Sequence, residues 1–172
     1  MLLCVALFAG CILPKSELKA RPSLRAVLGE SFRLLGNRCL LAGLVASLGS
    51  AFGFGIFVSF LPLHAAAYGL DPAQVGFVFA AQALTNVFGR VPVGMALDRI
   101  PLSRIIAAGL FCFAFGLSAI GTADSVVSLS AWTVMLGGGM ALTYTGVGAL
   151  VAKAVPPVQR GLAMGMYNSS VY

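Results

Sequence analysis

Residues 39–70, 72–89, 105–123 and 125–152 contain no Lys, Arg, Asp or Glu, and positive charge falls on every second connector between them. A hydrocarbon core of about 30 Å takes roughly 20 helical residues to cross. A spanning segment must also satisfy its own backbone polar groups, so each uncharged stretch predicts a transmembrane helix. With 59% hydrophobic and 9% charged residues and a mean hydropathy of +0.98, the 172 residues lack the polar surface that a water-soluble globule needs. The chain reads as all-α: a polytopic transmembrane helix bundle with the lipid bilayer as its main partner.

The connectors set the orientation. Residues 15–38 carry Lys15, Lys19, Arg21, Arg25, Arg33 and Arg38 against Glu17 and Glu30, whereas residues 62–71 have no Lys or Arg. Basic connectors stay in the cytoplasm, so residues 15–38, 98–104 and 153–160 are expected inside, and residues 62–71 and 122–125 outside. The net charge of +6 is explained by this pattern, and nucleic acid is not expected as a partner. Cys4, Cys11, Cys39 and Cys112 show neither pairing nor metal-ligand spacing and read as free thiols.

The terminal apolar segments, 1–13 and 161–172, are too short to span. No basic residues precede the first and no soluble domain follows it, which sets a signal peptide aside. The expected organisation is the tail of one helix (1–13), a cytoplasmic basic loop (14–38), four transmembrane helices (39–152), then a cytoplasmic loop and the start of a further helix (153–172), as in a chain cut at both ends. Within the loop, Leu24, Val27, Leu28, Phe32 and Leu35 recur at helical spacing, giving either an amphipathic helix on the membrane surface or a solvated linker. Asp71-Pro72 has the form of an N-cap followed by proline at the first helical position, Pro62 lies near the outer end of its helix, and Pro156-Pro157 interrupts the path before the last segment.

Residues 72–97 hold the most informative pattern. Gln74, Gln82, Asn86 and Arg90 share one stripe, with Thr85 beside it. Hydrocarbon does not solvate such a stripe, so it faces a wet cavity or other helices, where amides also serve as interhelical hydrogen-bonding groups. By contrast, residues 105–122 are almost wholly apolar and are expected to face lipid. The run Gly49-Ser50-Ala51-Phe52-Gly53 has small-xxx-small spacing for close helix packing. Gly137, Gly138, Gly139, Gly146 and Gly148, around Thr143, Tyr144 and Thr145, imply close backbone approach or a bend.

The segment Phe88-Gly89-Arg90-Val91-Pro92-Val93-Gly94-Met95-Ala96-Leu97-Asp98-Arg99 resembles the cytoplasmic helix-end signature of major facilitator superfamily (MFS) transporters, in which Gly is followed by three residues, Asp and then Arg or Lys. After Arg99 the family has glycine and further basic residues; here stand Pro101, Leu102 and Ser103, then Arg104. A second likeness is Val155-Pro156-Pro157-Val158-Gln159-Arg160-Gly161 with the small-residue run that follows. With Phe60-Leu61-Pro62-Leu63, Tyr68-Gly69-Leu70-Asp71 and the long basic loop, the order resembles the second six-helix half of that fold, from the end of helix six to the start of helix eleven.

That resemblance implies a secondary transporter in which two six-helix halves rock around a central site. The chain would supply part of one half, and the other half would be its partner. Asp98 would pair with a helix end of that half in one gate state, with Arg90 and Arg99 joining the charge network and Gly94 and Arg160 belonging to the same motifs. Asp98 as a simple topology anchor is the alternative. Substrate contacts are expected from Ser47, Phe54, Gln82, Asn86, Tyr144 and Asn168.

No enzymatic site or cofactor is expected. His64 has no clustered ligands for a metal, the carboxylates sit in connectors, and the glycine run lacks a phosphate-loop lysine. The function expected is transport of a small organic solute by alternating access, as ion-gradient-coupled efflux in a bacterial inner membrane. The alternative is a membrane assembly module that transports nothing.

Overall fold

The computed structural model describes residues 24–171. The expected helix end at 1–13 and the charges Lys15, Lys19 and Arg21 lie outside the described residues. Every regular element among the described residues is helical: α1 (Leu24–Leu35), α2 (Arg38–Ala67), α3 (Pro72–Ala96), α4 (Leu102–Ile120), α5 (Val126–Ala154), a 3-10 turn (Pro157–Gln159) and α6 (Arg160–Val171).

The helix limits follow local chemistry. Asn37 caps α2, its Oδ1 accepting from Cys39 N at 3.0 Å and Leu40 N at 3.4 Å, so two otherwise unpaired amides are satisfied. Gly69, at φ +71°, takes the left-handed conformation that ends helices, and Leu70 N donates to Ala65 O at 3.0 Å. Pro62 lies inside α2, which runs on to Ala67. Transmembrane helices tolerate such a proline when neighbouring groups re-satisfy the freed backbone. Asp71 N donates to Gln74 Oε1 at 2.9 Å, half of a capping box ahead of Pro72. Gln74 is therefore exposed and occupied as a cap, and does not continue the polar stripe.

Helix α5 is the axis of the bundle, with α2, α3, α4 and α6 all packed on it. Small residues allow the close approach. A Cβ at Gly139 would lie 2.5 Å from Phe113 N and 2.8 Å from Gly109 O on α4, and a Cβ at Gly137 would lie 2.7 Å from the Gln82 carbonyl on α3. In lipid, where apolar side chains gain little by meeting each other, such backbone proximity and the dispersion it brings are main sources of cohesion. Of the two readings of the glycine run, close approach holds at these positions. The small-xxx-small run on α2 is tight at one end only: a Cβ at Gly53 would lie 2.7 Å from the Phe113 ring, while one at Gly49 would meet open space.

One apolar cluster joins Phe57, Leu61, Val78, Phe113 and Leu129, and a second joins Leu34, Leu40, Leu44, Val151 and Ala163. Asn37 Nδ2 donates to Ala154 O at 3.0 Å, and Gln159 Nε2 donates to Glu30 Oε1 at 3.0 Å. These bonds tie the basic connectors together at one end. At the other, His64 Nε2 lies 2.8 Å from Ala123 O, joining the two connectors that lack Lys and Arg.

Helices α2, α4 and α5 are long and apolar enough to cross a membrane, with mean hydropathies of 2.0, 1.8 and 1.5. The fourth expected span, α3, has 25 residues, about 38 Å at 1.5 Å per residue. Its stripe of amides and Arg90 lowers its hydropathy, so composition does not single it out as it does the other three. Phe52, Phe60, Phe77, Phe88 and Phe111 are all exposed, the outward apolar surface that lipid solvates. On α1 Leu34 is buried, whereas Leu28 and Phe32 of the expected apolar stripe are exposed.

Candidate functional site

A cavity of about 660 Å³ opens where α2, α3 and α6 surround the middle of α5. Gln82, Asn86 and Arg90 follow one another at the four-residue spacing that keeps side chains on one helical face, and all three line it. Phe54 of α2, Tyr144 of α5 and Asn168 of α6 complete the predicted set that the cavity brings together. Gln82 and Asn86 are buried at 5% and 8% exposure, which in an apolar bundle is a cost unless their polar groups find partners.

Those partners are partly within the protein. Gln82 Nε2 donates to Met140 Sδ at 3.1 Å, and a thioether is a weak acceptor. Asn86 Oδ1 accepts from Arg90 Nε at 3.1 Å, a charge-assisted bond within one turn. Tyr167 Oη donates to the Tyr144 carbonyl at 3.0 Å, which fastens α6 to α5 beside the cavity. Thr85 turns its hydroxyl back to Ala81 O at 2.8 Å and does not extend the lining.

Ser47 is placed elsewhere. It is fully buried, and its hydroxyl donates to Gly43 O at 2.9 Å within its own helix. Serine in an apolar helix commonly satisfies itself in this way. The expected charge network divides: Arg90 lines the cavity, while Asp98, Arg99 and Arg160 do not; all four are exposed, and none forms an ion pair among the described residues. Asp98 lies just past the end of α3, about 12 Å along the axis from Arg90. Gly94 is half-buried in the last turns of α3, with open space where a Cβ would stand.

Met140, Thr145, Met164 and Tyr167 also line the cavity and were missed from the sequence. For Tyr167 a signal existed, because a phenol within a membrane helix requires a hydrogen-bond partner. The methionines carried none. Cys39 and Cys112 are free thiols, and no group of three or more metal-ligating side chains occurs among the described residues.

Gln82, Asn86, Arg90 and Asn168 thus share a hollow with apolar side chains, and comparison with known proteins specifies which kind of bundle holds it. The family model described as Major Facilitator Superfamily matches residues 43–172. The chain belongs to this superfamily. It is an integral membrane protein, and the relatives it matches are named as transporters. It is 34% identical over 112 residues to the "Probable galactarate/D-glucarate transporter GudP" of Bacillus subtilis (strain 168), covering 60% of this chain and 24% of that protein. It is 29% identical over 153 residues to the "Uncharacterized MFS-type transporter YhhS" of Salmonella typhimurium, covering 86% and 36%. An "Uncharacterized MFS-type transporter MJ1560" of Methanocaldococcus jannaschii is 24% identical over 141 residues, covering 82% and 36%. The chain thus spans between 24% and 36% of the length of these relatives. No solved structure matches it significantly.

Proposed function

We propose that this superfamily chain forms one wall of the central cavity of a secondary transporter, which moves a small polar organic solute by alternating access and couples it to an ion gradient. The observation that carries this reading is the convergence of Gln82, Asn86 and Arg90 with Asn168 on one cavity of about 660 Å³, in the range of small-molecule sites. Helices that serve only for assembly have no need of a wetted hollow, since polar groups at membrane depth are costly.

In this reading α3 is the fourth span, its apolar side against lipid and its amide stripe toward the solute. Asp98, at the cytoplasmic end of α3, pairs with a helix end of the opposing half when the cytoplasmic side is closed and is released when the halves separate. By family resemblance we assign export as the direction and a bacterial inner membrane as the location. The names of the GudP relatives make galactarate and D-glucarate the first solutes to try.

The test is solute flux in cells producing the native protein, compared with its Gln82→Ala and Asp98→Asn variants. Loss of affinity in the first and loss of rate in the second, at equal membrane abundance, is the expected result. Flux unchanged by either substitution would contradict the reading.

A further inference from the structure

The cavity carries an unbalanced charge. Among the described residues Arg90 is the only charged one in its lining, which contains no Asp or Glu. Arg90 lines the cavity yet is exposed; a guanidinium keeps its positive charge in proteins, and at membrane depth such a cation is costly without a counter-charge. An arginine that served only to anchor its helix would reach outward to the near membrane surface. Arg90 reaches the other way: its Nε donates to Asn86 Oδ1, one turn deeper in α3, at 3.1 Å. That bond uses the inner edge of the guanidinium and leaves its terminal nitrogens without a partner among the described residues.

From this geometry we infer that Arg90, held in orientation by Asn86, binds a carboxylate of an organic anion in the cavity, with Gln82 as a neighbouring polar contact. A planar fork with free terminal N–H groups matches a carboxylate in two parallel hydrogen bonds. Gln82, whose amide nitrogen has only the Met140 sulfur as acceptor among the described residues, exchanges that weak contact for a hydroxyl or second carboxylate of the same solute. Asn86 is a positioning residue that acts through Arg90. The inference rests on the transporter reading and adds the side chain that selects a carboxylate over a neutral solute.

The test is binding by the full native protein in lipid nanodiscs, read as thermal stabilisation across a panel: galactarate, D-glucarate, other mono- and dicarboxylates, and the neutral polyol of each carbon skeleton. At least one carboxylate is expected to bind and its polyol not to bind. Arg90→Gln is expected to weaken carboxylate binding by about 10- to 100-fold, the range for a lost charged hydrogen bond, with partial recovery in Arg90→Lys. Asn86→Ala should give a smaller loss, and substituting Lys at position 90 should no longer make position 86 matter, because Lys has no Nε fork to orient.

If no carboxylate in the panel binds, or if Arg90→Gln weakens carboxylate and polyol binding equally, the guanidinium serves a protein partner and the inference is overturned. Carboxylate binding that depends on Arg90, without flux in the cellular assay, would sustain the inference while defeating the transporter reading. Flux of a neutral solute indifferent to Arg90 would do the reverse.

Discussion

Substituting Gly139 by alanine adds one methyl group where α5 passes close to the backbone of α4. The new Cβ would stand 2.5 Å from Phe113 N and 2.8 Å from Gly109 O. Both are backbone atoms of α4 and cannot rotate away, so α4 and α5 must separate by about 1 Å to restore ordinary contact near 3.5 Å. A gap of that size forfeits a quarter to a half of each affected dispersion contact, and each is worth about 0.1–0.2 kcal/mol. Over the few tens of atom pairs along such a crossing the loss is about 1–3 kcal/mol, the usual cost of overpacking. In an equilibrium this is about a 5- to 150-fold shift. Gly138, the next residue, has nothing within 4 Å and is the control: alanine there relieves glycine's helix penalty of about 1 kcal/mol. The assay is unfolding by SDS in mixed micelles with helicity as the signal. Gly139→Ala should unfold at lower SDS fraction than the native protein, and Gly138→Ala at equal or higher fraction. Equal behaviour of the two variants would refute the argument that backbone proximity holds α4 to α5.

Asn37→Ala removes the α2 cap and the bond to Ala154 O; a stability loss of about 1–2 kcal/mol is expected in the same assay, with hydrogen exchange increasing at Cys39 and Leu40. Tyr167→Phe deletes the donor to the Tyr144 carbonyl and should cost about 0.5–1.5 kcal/mol while raising the solute concentration for half-maximal flux. Ser47→Ala removes a hydroxyl that bonds only its own helix, and both stability and flux should stay within about 0.5 kcal/mol of native.

The periodicity of the sequence predicted the wall of the cavity better than its ends. Gln82, Asn86 and Arg90 were legible because helical geometry places residues four apart on one face, and that face lines the cavity. Gln74 satisfies the same spacing but falls in the first turn of α3, where unpaired backbone groups claim its side chain. Ser47 could not be placed from spacing alone: α2 is apolar nearly all round, so no face of it announces which neighbour it meets. The same uniformity hid Met140 and Met164, whose inclusion depends on how α5 and α6 are rotated against each other. The helix-ending signals at Asp71-Pro72 and at Pro156-Pro157 were readable because they act locally. Pro62 does lie near the outer end of α2, which runs on to Ala67 because a proline inside a transmembrane helix need not end it.

The most direct check of the central claim, that this cavity is the solute path, uses single cysteines in the native protein lacking its own thiols. Asn168→Cys, on the cavity wall, is compared with Phe111→Cys on the exposed apolar side of α4, using a charged thiol reagent on intact cells. We predict that position 168 reacts, that transported solute slows the reaction, and that position 111 reacts slowly with no effect of solute. Equal reactivity at both positions, or labelling at position 168 that no transported solute protects, would contradict the account.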